Sequence, residues 1–255
     1  MFESNKFTFK SHKGHDLSAV LETPTGKITS YALYAHCFSC SKEISAAVRV
    51  SRALAALGIG TLRFDFSGIG RSEGEFEHTT FSSNIEEIYD AAGYMREHYA
   101  APSLLVGHSL GGTAILGAAK DISEAKAVAT LGSPSDPEHV QHLFAQDMER
   151  ICEVGKADVK LGPTTLTIGK DFIDDISNFD IKSRIATMRK PLLILHAPDD
   201  QTVGIENAQE IYEIAKHPKS FISLDGANHL LSEKVDAEYA ANLIAAWSSK
   251  YVEVL

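Results

Sequence analysis

The segment Gly107-His108-Ser109-Leu110-Gly111-Gly112 stands between a short apolar strand and a helix of small residues. Glycines two positions to either side of Ser109 allow the chain to turn sharply from strand into helix, where larger side chains would collide. Such a turn projects the serine hydroxyl above a helix N-terminus, which favours developing negative charge. The pattern predicts a strand–turn–helix unit with Ser109 at its apex. The alternative is a glycine-rich helix start with an incidental serine.

Segments with strand and helix spacing alternate along most of the 255 residues, a length that suits one sizeable domain or two small ones. The predicted strands are an opening hairpin of Lys6–Lys10 and Leu17–Glu22, then Ile28–Ala35, Thr61–Phe66, Ser103–Gly107, Ala127–Leu131, Leu192–His196 and Phe221–Leu224. Helices are predicted between them, and the last helix carries Val235, Tyr239, Leu243 and Trp247. This alternation predicts an α/β fold, a mostly parallel twisted sheet with helices on both faces.

The alternation breaks between residues 134 and 190. This segment is predicted to hold an amphipathic helix, a hairpin across Gly162-Pro163 and an acidic helical stretch. We interpret it as a cap inserted into a single domain of residues 1–255, and not as a second domain. The apolar side chains on its first helix are candidates for the wall of a substrate pocket, with packing against the main domain as the alternative: Val140, Leu143 and Phe144. His139 and His142 on that helix are expected at the surface or the rim.

A serine hydroxyl is a weak nucleophile near neutral pH and needs a base, which a carboxylate must orient. After a turn of this kind the carboxylate and then the histidine follow in chain order, at the carboxyl ends of later strands. His229 follows one such strand, and Asp199 and Asp200 follow another. The histidines that compete with His229 are less suited to the role: His108 is held within the turn, His196 ends a strand, and His217 lies in a surface-like turn.

The chain resembles the α/β hydrolases over nearly its whole length. Residues 64–72, FDFSGIGRS, resemble the family's D-x-x-G-x-G-x-S turn, and residues 196–203, HAPDDQTV, resemble its H-G-x-x-D-x-x-V acid loop. The resemblance implies Ser109 as nucleophile, His229 as base and Asp200 as the orienting acid. It also implies an oxyanion hole formed by the backbone N–H groups of Phe38 and Leu110.

A narrower resemblance is to the hydrolase half of bacterial bifunctional hydrolase–OsmC proteins. It is carried by the segments AHCFSCSK, LRFDFSGIGRSEG, FSSNIEE, VGHSLGG and HPKSFISLDGANHLL. A thiol-peroxidase-like OsmC domain follows in those fusions, whereas this sequence stops at Leu255. The resemblance therefore implies either a stand-alone relative or an excised domain, with an OsmC-type domain as fused or separate partner in relatives.

Cys37 and Cys40 form a C-x-x-C pattern, which is typical of a redox dithiol or half of a zinc site. No second such pair or spaced histidine pair completes four zinc ligands, so no metal site is predicted. In the resemblance AHCFS occupies the oxyanion loop, with Cys37 in place of the usual glycine. We therefore expect no Cys37–Cys40 disulfide, and Cys40→Ser to leave ester turnover within a few-fold. A thiol redox protein built on both cysteines is the alternative.

A formal net charge of −10 argues against binding to nucleic acid or an anionic membrane, because phosphate groups require a basic face. The chain has no apolar run of membrane-spanning length and no signal pattern, and its three cysteines fit a reducing cytoplasm. The predicted function is a carboxylesterase-like serine hydrolase of small soluble acyl esters, without cofactor. The alternatives are the same triad acting on thioester, amide or carbon–carbon bonds, and a non-catalytic binding module. Substrate and oligomeric state stay open.

Overall fold

The computed structural model describes residues 1–162 and 164–252. Eight strands form one sheet in the order β1-β2-β4-β3-β5-β6-β9-β10, and β7 pairs with β8 in a separate hairpin. The strands are β1 (Phe2–Lys10), β2 (Asp16–Pro24), β3 (Ser30–Ala35), β4 (Ile59–Phe64), β5 (Leu104–His108), β6 (Ala127–Leu131), β7 (Lys156–Leu161), β8 (Thr164–Gly169), β9 (Leu192–His196) and β10 (Lys219–Ser223). The β1–β2 and β2–β4 pairs are antiparallel, and every pair from β4 to β10 is parallel.

Helices cover both faces of this sheet, which confirms the predicted fold class. They are α1 (Ser45–Ala56), α2 (Phe81–His98), α3 (Leu110–Ala118), α4 (Met148–Val154), α5 (Lys170–Asn178), α6 (Ile181–Thr187), α7 (Glu206–Ile214) and α8 (Lys234–Ser248), with 3-10 segments at Phe76–His78 and Pro137–Asp147. Side chains of one strand alternate between the two layers. In β5, Leu104 and Val106 pack in the cluster with residues of α1 and α8, whereas Leu105 packs with residues of α2, α3 and α7.

The segment between β6 and β9 differs from its prediction in one element. The prediction of a single amphipathic helix through Val140, Leu143, Phe144 and Ile151 is wrong. Phe144 has non-helical backbone angles (φ −137°, ψ 28°) that break the 3-10 segment Pro137–Asp147, and Ile151 lies on α4, which begins at Met148. The kink lets adjacent side chains point apart, so that Leu143 is 38% exposed while Phe144 is buried. The antiparallel pairing of β7 with β8 agrees with the predicted hairpin, whose Pro163 lies outside the described residues.

The parallel strands bring the chemically important loops to one edge of the sheet. The loop that carries Cys37 and Cys40 follows β3, and the turn at Ser109 follows β5. Asp200 lies in the loop after β9, and His229 lies in the loop after β10. Carboxyl ends of parallel strands are where α/β folds place their sites. No helix among the described residues is long and apolar enough to cross a membrane.

Candidate active site

Ser109 lies on a sharp turn that can form only because the residues two positions before and after it are glycines. Its φ of 53° and ψ of −131° are sparsely populated for a residue with a side chain. A Cβ atom at Gly107 would overlap the main chain of Gly112, and one at Gly111 would overlap the carbonyl oxygen of His36. The chain therefore approaches itself so closely at this turn that residues larger than glycine do not fit.

The side chains of Ser109, His229 and Asp200 form one hydrogen-bonded chain. The His229 Nε2 atom lies 3.1 Å from Ser109 Oγ, and its Nδ1 atom lies 2.7 Å from Asp200 Oδ2. The other carboxylate oxygen of Asp200 accepts hydrogen bonds from the backbone N–H groups of Thr202 (2.8 Å) and Val203 (2.9 Å). The structure thus brings together the three residues that the sequence predicted as nucleophile, base and acid.

Burial by itself raises the pKa of Asp200. The hydrogen bonds from His229, Val203 and Thr202 oppose burial and leave the pKa below its ordinary value. The carboxylate is therefore ionised at neutral pH, and it favours the His229 tautomer that carries its proton on Nδ1 and leaves Nε2 free to accept one. Asp199 is exposed, and no hydrogen bond among the described residues joins it to His229.

Two residues near this chain were missed by the sequence analysis. The fully buried His108 donates from Nε2 to the backbone oxygen of His229 at 2.7 Å. Burial, and then the proximity of His229, lower the pKa of His108 to about 4, so its imidazole is neutral at neutral pH. Gly132 has a φ of +53°, and a Cβ there would stand 3.3 Å from both Asp200 Oδ2 and His229 Nδ1. Neither role had a signal in the sequence, because the partner of His108 is a backbone oxygen and the neighbours of Gly132 come from distant loops.

The other competing histidines lie where the sequence analysis expected them. His196 is buried and donates from Nε2 to the backbone oxygen of Val203 at 2.8 Å. Its burial lowers its pKa. His217 is exposed in its turn.

The predicted oxyanion donors, the N–H groups of Phe38 and Leu110, are both available. Leu110 is the first residue of α3, so its N–H has no intrahelical acceptor. Within the described residues neither N–H donates to a protein oxygen. The loop that carries Phe38 passes close to the start of α3, since a Cβ at Gly111 would meet the backbone oxygen of His36. Phe38 and Ser109 also line the same cavity.

The expectation that Cys37 and Cys40 stay unlinked is wrong, because the structure joins them in a disulfide. The Cys40 N–H donates to the Cys37 oxygen at 3.3 Å, and this turn brings the two Cα atoms to 5.4 Å, within the usual range for a bridge. Ser39 inside the turn has a φ of 58°. The third cysteine, Cys152, is exposed and unpaired.

A cavity of about 480 Å³ opens above Ser109. Its wall includes the loop that carries the disulfide, the 3-10 segment Pro137–Asp147, and the loops after β9 and β10. Of the predicted pocket residues, Val140 and Leu143 line it, as do His139 and His142. Phe144 does not, which corrects its prediction: it is 1% exposed and packs on Phe38, with the ring centroids 6.2 Å apart.

The described part of the cavity wall holds no Asp, Glu, Lys or Arg. Its residues are apolar side chains, hydroxyl groups, the disulfide and imidazoles. Pockets of this size are typical of small-molecule sites. An ionic group of a ligand would be desolvated there without a charged partner, so the cavity fits uncharged molecules.

Comparisons with known proteins place this fold in a hydrolase family. The family model described as serine aminopeptidase S33 matches residues 41–152. The crystal structure of the esterase domain from a Rhodothermus marinus protein is 41% identical and covers 98% of this chain and 99% of its own, with a TM-score of 0.81. The chain belongs to the α/β-hydrolase superfamily, among its esterase-type members.

Other matches are more distant in sequence. Est1E from Butyrivibrio proteoclasticus, solved with ferulic acid, is 20% identical over 96% of this chain and 98% of its own, with a TM-score of 0.80. The lysophosphatidylserine lipase ABHD12 of Danio rerio is 26% identical over 74% of this chain and 48% of its own length. The mitochondrial palmitoyl-protein thioesterase ABHD10 of Pongo abelii is 26% identical over 72% of this chain and 61% of its own length. This chain thus spans about half to three fifths of these curated relatives. The OsmC resemblance is tested by none of these matches and stays a prediction.

Proposed function

We propose that this protein is a serine carboxylesterase that cleaves small, uncharged acyl esters through an acyl-enzyme. One observation carries the proposal: the hydrogen-bonded chain Ser109–His229–Asp200 ends at the floor of an uncharged cavity. Membership of the superfamily supports the hydrolase class. The similarity to the Rhodothermus marinus esterase domain supports the ester as the bond that is cleaved.

In the first half of the proposed reaction Ser109 Oγ attacks the ester carbonyl carbon while His229 Nε2 accepts the hydroxyl proton. Asp200 stabilises the imidazolium through its bond to Nδ1. The carbonyl oxygen becomes an oxyanion that accepts hydrogen bonds from the N–H groups of Phe38 and Leu110. His229 then gives its proton to the leaving alcohol oxygen, and the acyl group stays on Ser109.

In the second half water attacks the acyl-enzyme, with His229 as the general base for the water proton. The same two N–H groups stabilise the second tetrahedral intermediate. Its collapse returns the proton to Ser109 Oγ and releases the carboxylic acid. The released acid is ionised at neutral pH, and the uncharged wall of the cavity offers it no cationic partner, which favours product departure.

A thioester is the second candidate for the bond that is cleaved, because the curated relatives include a palmitoyl-protein thioesterase and the chemistry needs the same groups. An aminopeptidase function, the description of the matching family model, is less well supported. Recognition of a substrate's α-ammonium group would need an acidic partner, and the described cavity wall holds none.

The experiment is a panel of p-nitrophenyl esters graded by acyl length, with a feruloyl ester, a matched thioester and an aminoacyl p-nitroanilide. We expect kcat/KM to be highest on an uncharged ester and Ser109→Ala to lower kcat by at least about 10³-fold. The matched control is Ser249→Ala, at an exposed serine after α8, which should equal wild type. A serine-directed phosphonate should label wild type and leave Ser109→Ala unlabelled. Retention of more than about a tenth of the turnover by Ser109→Ala would contradict the proposal, since loss of a nucleophile removes far more.

A further inference from the structure

We propose that the Cys37–Cys40 disulfide is a second reactive site, open to dithiol reductants, which controls ester hydrolysis through the Phe38 N–H group. The proposal rests on the proposed function, since it assigns Phe38 to the oxyanion hole. Oxidised, the disulfide holds this N–H in place beside Ser109. Reduced, it releases the loop and turnover falls.

The disulfide lies against the proposed reaction centre. Phe38 stands directly after Cys37 and two residues before Cys40, so the bridge closes a small ring around the proposed donor. Both cysteines and Ser109 line the same cavity. Cys37 is 4% exposed, whereas Cys40 is only half-buried and lines the cavity, so we take the Cys40 sulfur as the atom that an incoming thiolate attacks.

The ring holds a backbone conformation that the free chain disfavours. Ser39 has a φ of 58°, in the left-handed region that residues with a side chain rarely occupy. The turn around it is closed by one backbone hydrogen bond, from Cys40 N–H to the Cys37 oxygen at 3.3 Å. Once the bridge is broken, Ser39 can return to an ordinary φ, and the loop between Cys37 and Cys40, which contains the Phe38 N–H group, is no longer held in this turn.

Both ends of the loop are fixed independently of the disulfide. On one side, the loop leaves β3 at Ala35. The bond from His36 Nδ1 to the Cys37 oxygen (2.8 Å) holds the same planar peptide unit as the Phe38 N–H group, so it must break when that N–H turns. On the other side, the buried Lys42 pairs with Asp65, at 2.5 Å from Nζ to Oδ2 and 2.6 Å from the backbone N to Oδ1. Arg63 Nε also donates to the Lys42 oxygen at 2.8 Å. Release is therefore confined to the few residues between these anchors, and the fold should survive reduction.

The Phe38 side chain connects the loop to the segment that covers the cavity. Its ring packs on Phe76, Phe144 and Phe172, with centroids 5.8, 6.2 and 5.6 Å away. Phe144 and Phe172 belong to the segment between β6 and β9. These contacts keep the Phe38 ring in place on reduction, so we expect the change to fall on its backbone and therefore on kcat more than on KM.

The exchange proceeds in two displacements. One thiolate of the dithiol attacks Cys40 Sγ, the Cys37–Cys40 S–S bond breaks, and Cys37 leaves as a thiolate that takes a proton from water. The second thiolate of the reductant then attacks the reductant sulfur that is bonded to Cys40. The reductant closes into a cyclic disulfide, and Cys40 leaves as a thiolate that takes a proton from water. The protein disulfide gains two electrons and two protons, which the dithiol loses as it becomes a cyclic disulfide. The sequence analysis predicted a reducing compartment. Disulfides are rare in such compartments, and those that form there are usually transient and either catalytic or redox-sensing.

The test uses the full chain as a Cys152→Ser variant, which removes the exposed free thiol and leaves both sites intact. The protein is equilibrated in reduced and oxidised dithiothreitol at graded ratios. Turnover of p-nitrophenyl acetate gives kcat and KM, and alkylation followed by mass measurement counts the free thiols in the same samples. We expect reduction to lower kcat at least about 10-fold, a part of the 10²–10³-fold that loss of one oxyanion donor produces. KM should change little. The kcat midpoint should coincide with the midpoint of thiol appearance.

A Cys37→Ser/Cys40→Ser variant should have the low kcat of the reduced enzyme and ignore the dithiothreitol ratio. Equal kcat in both redox states, a change in KM alone, or non-coincident midpoints would overturn the switch and leave the esterase proposal intact. Loss of far-ultraviolet circular dichroism on reduction would also overturn it, since the effect would then be unfolding. Absence of turnover in every redox state, with no phosphonate labelling of Ser109, would instead refute the proposed function and the switch with it.

Discussion

The Nε2–H group of His108 donates a hydrogen bond to the backbone oxygen of His229, with the two atoms 2.7 Å apart. His108, the neighbour of Ser109, therefore holds the loop that carries His229, which lies 121 positions further along the chain. The His108 ring is fully buried, and its Nδ1 atom has no partner among the described residues. This bond holds the main chain of His229 over the turn at Ser109, while the bond from His229 Nδ1 to Asp200 holds its ring.

Removal of this bond should lower turnover without abolishing it. In His108→Ala we expect kcat to fall about 10-fold with little change in KM, because about 1.4 kcal/mol of positioning is lost and no reacting group is removed. His108→Gln is the conservative variant, since its amide nitrogen can reach the same oxygen, and it should recover much of kcat. The measurement is a steady-state kcat and KM determination on one p-nitrophenyl ester. Equal kcat in wild type and His108→Ala would show that the loop needs no such support.

Stability should fall in acid because of the buried histidines. Burial, and then His229, lower the pKa of His108 from 6.5 to about 4, and burial also lowers the pKa of His36 and of His196. As pH falls from about 6.5 to about 4, the unfolded chain takes up protons that the folded chain refuses, so the free energy of unfolding decreases. The contribution of His108 alone is on the order of 3 kcal/mol.

Urea unfolding between pH 7 and pH 4 measures this slope. In His108→Gln the decrease in the free energy of unfolding over that range should be smaller than in wild type, whatever the variant's stability at pH 7. His78→Gln, at an exposed histidine, is the matched control and should keep the wild-type slope. An unchanged slope in His108→Gln would mean that His108 is protonated alike in the folded and unfolded chain.

The two adjacent aspartates after β9 should differ sharply in function. Asp200 is buried against His229 and accepts two backbone N–H bonds, whereas Asp199 is exposed. Asp200→Asn should lower kcat by about 10³- to 10⁴-fold, because an amide cannot stabilise the imidazolium and favours the wrong tautomer. Asp199→Asn, the matched control, should stay within about twofold, as surface substitutions do. The reverse order in kcat would move the orienting acid by one residue.

Sequence reasoning was most successful where a structural rule is local or belongs to a sheet edge. The turn at Ser109 follows from its own glycines, and the placement of His229 and of the Asp199-Asp200 pair follows from the rule that loops after parallel strands meet at one edge. The choice of Asp200 over Asp199 came from the family resemblance. The kink at Phe144 was missed because helical spacing continues through it, while in the structure this side chain packs inward on Phe38 and the core. Steric fit around Gly132 was missed for the same reason, since its neighbours come from distant loops.

The disulfide and the His108 bond show a different limit. A C-x-x-C pattern is equally compatible with free thiols, a metal site or a bridge, and the choice depends on the backbone turn around Ser39. The partner of His108 is a backbone oxygen, which every residue possesses, so no side-chain pattern in the sequence could have indicated it. Contacts to the main chain are in this way invisible to motif analysis.

Leu143 and Phe144 are adjacent, and the structure separates their effects. Leu143 is 38% exposed on the cavity wall, so Leu143→Ala should widen the cavity with less than about 1 kcal/mol lost in stability. We expect it to raise kcat/KM for an octanoyl ester relative to an acetyl ester several-fold, because a longer chain gains room. Phe144 is 1% exposed in the core, so Phe144→Ala should lower the free energy of unfolding by about 3–5 kcal/mol. Its effect on chain-length preference should be small, since Phe144 does not line the cavity.

Both variants are compared by urea unfolding and by the octanoyl-to-acetyl ratio of kcat/KM. Leu143→Ala should change the ratio and leave stability nearly unchanged, because Leu143 faces the cavity that the substrate fills. Phe144→Ala should lower stability and leave the ratio nearly unchanged, because Phe144 fills space within the protein core. A large change in the ratio for Phe144→Ala with unchanged stability would place that ring in the pocket, as one of the two interpretations from the sequence had it. An unchanged ratio for Leu143→Ala would show that the acyl chain runs along another part of the cavity wall, where Leu161 is the next side chain to replace.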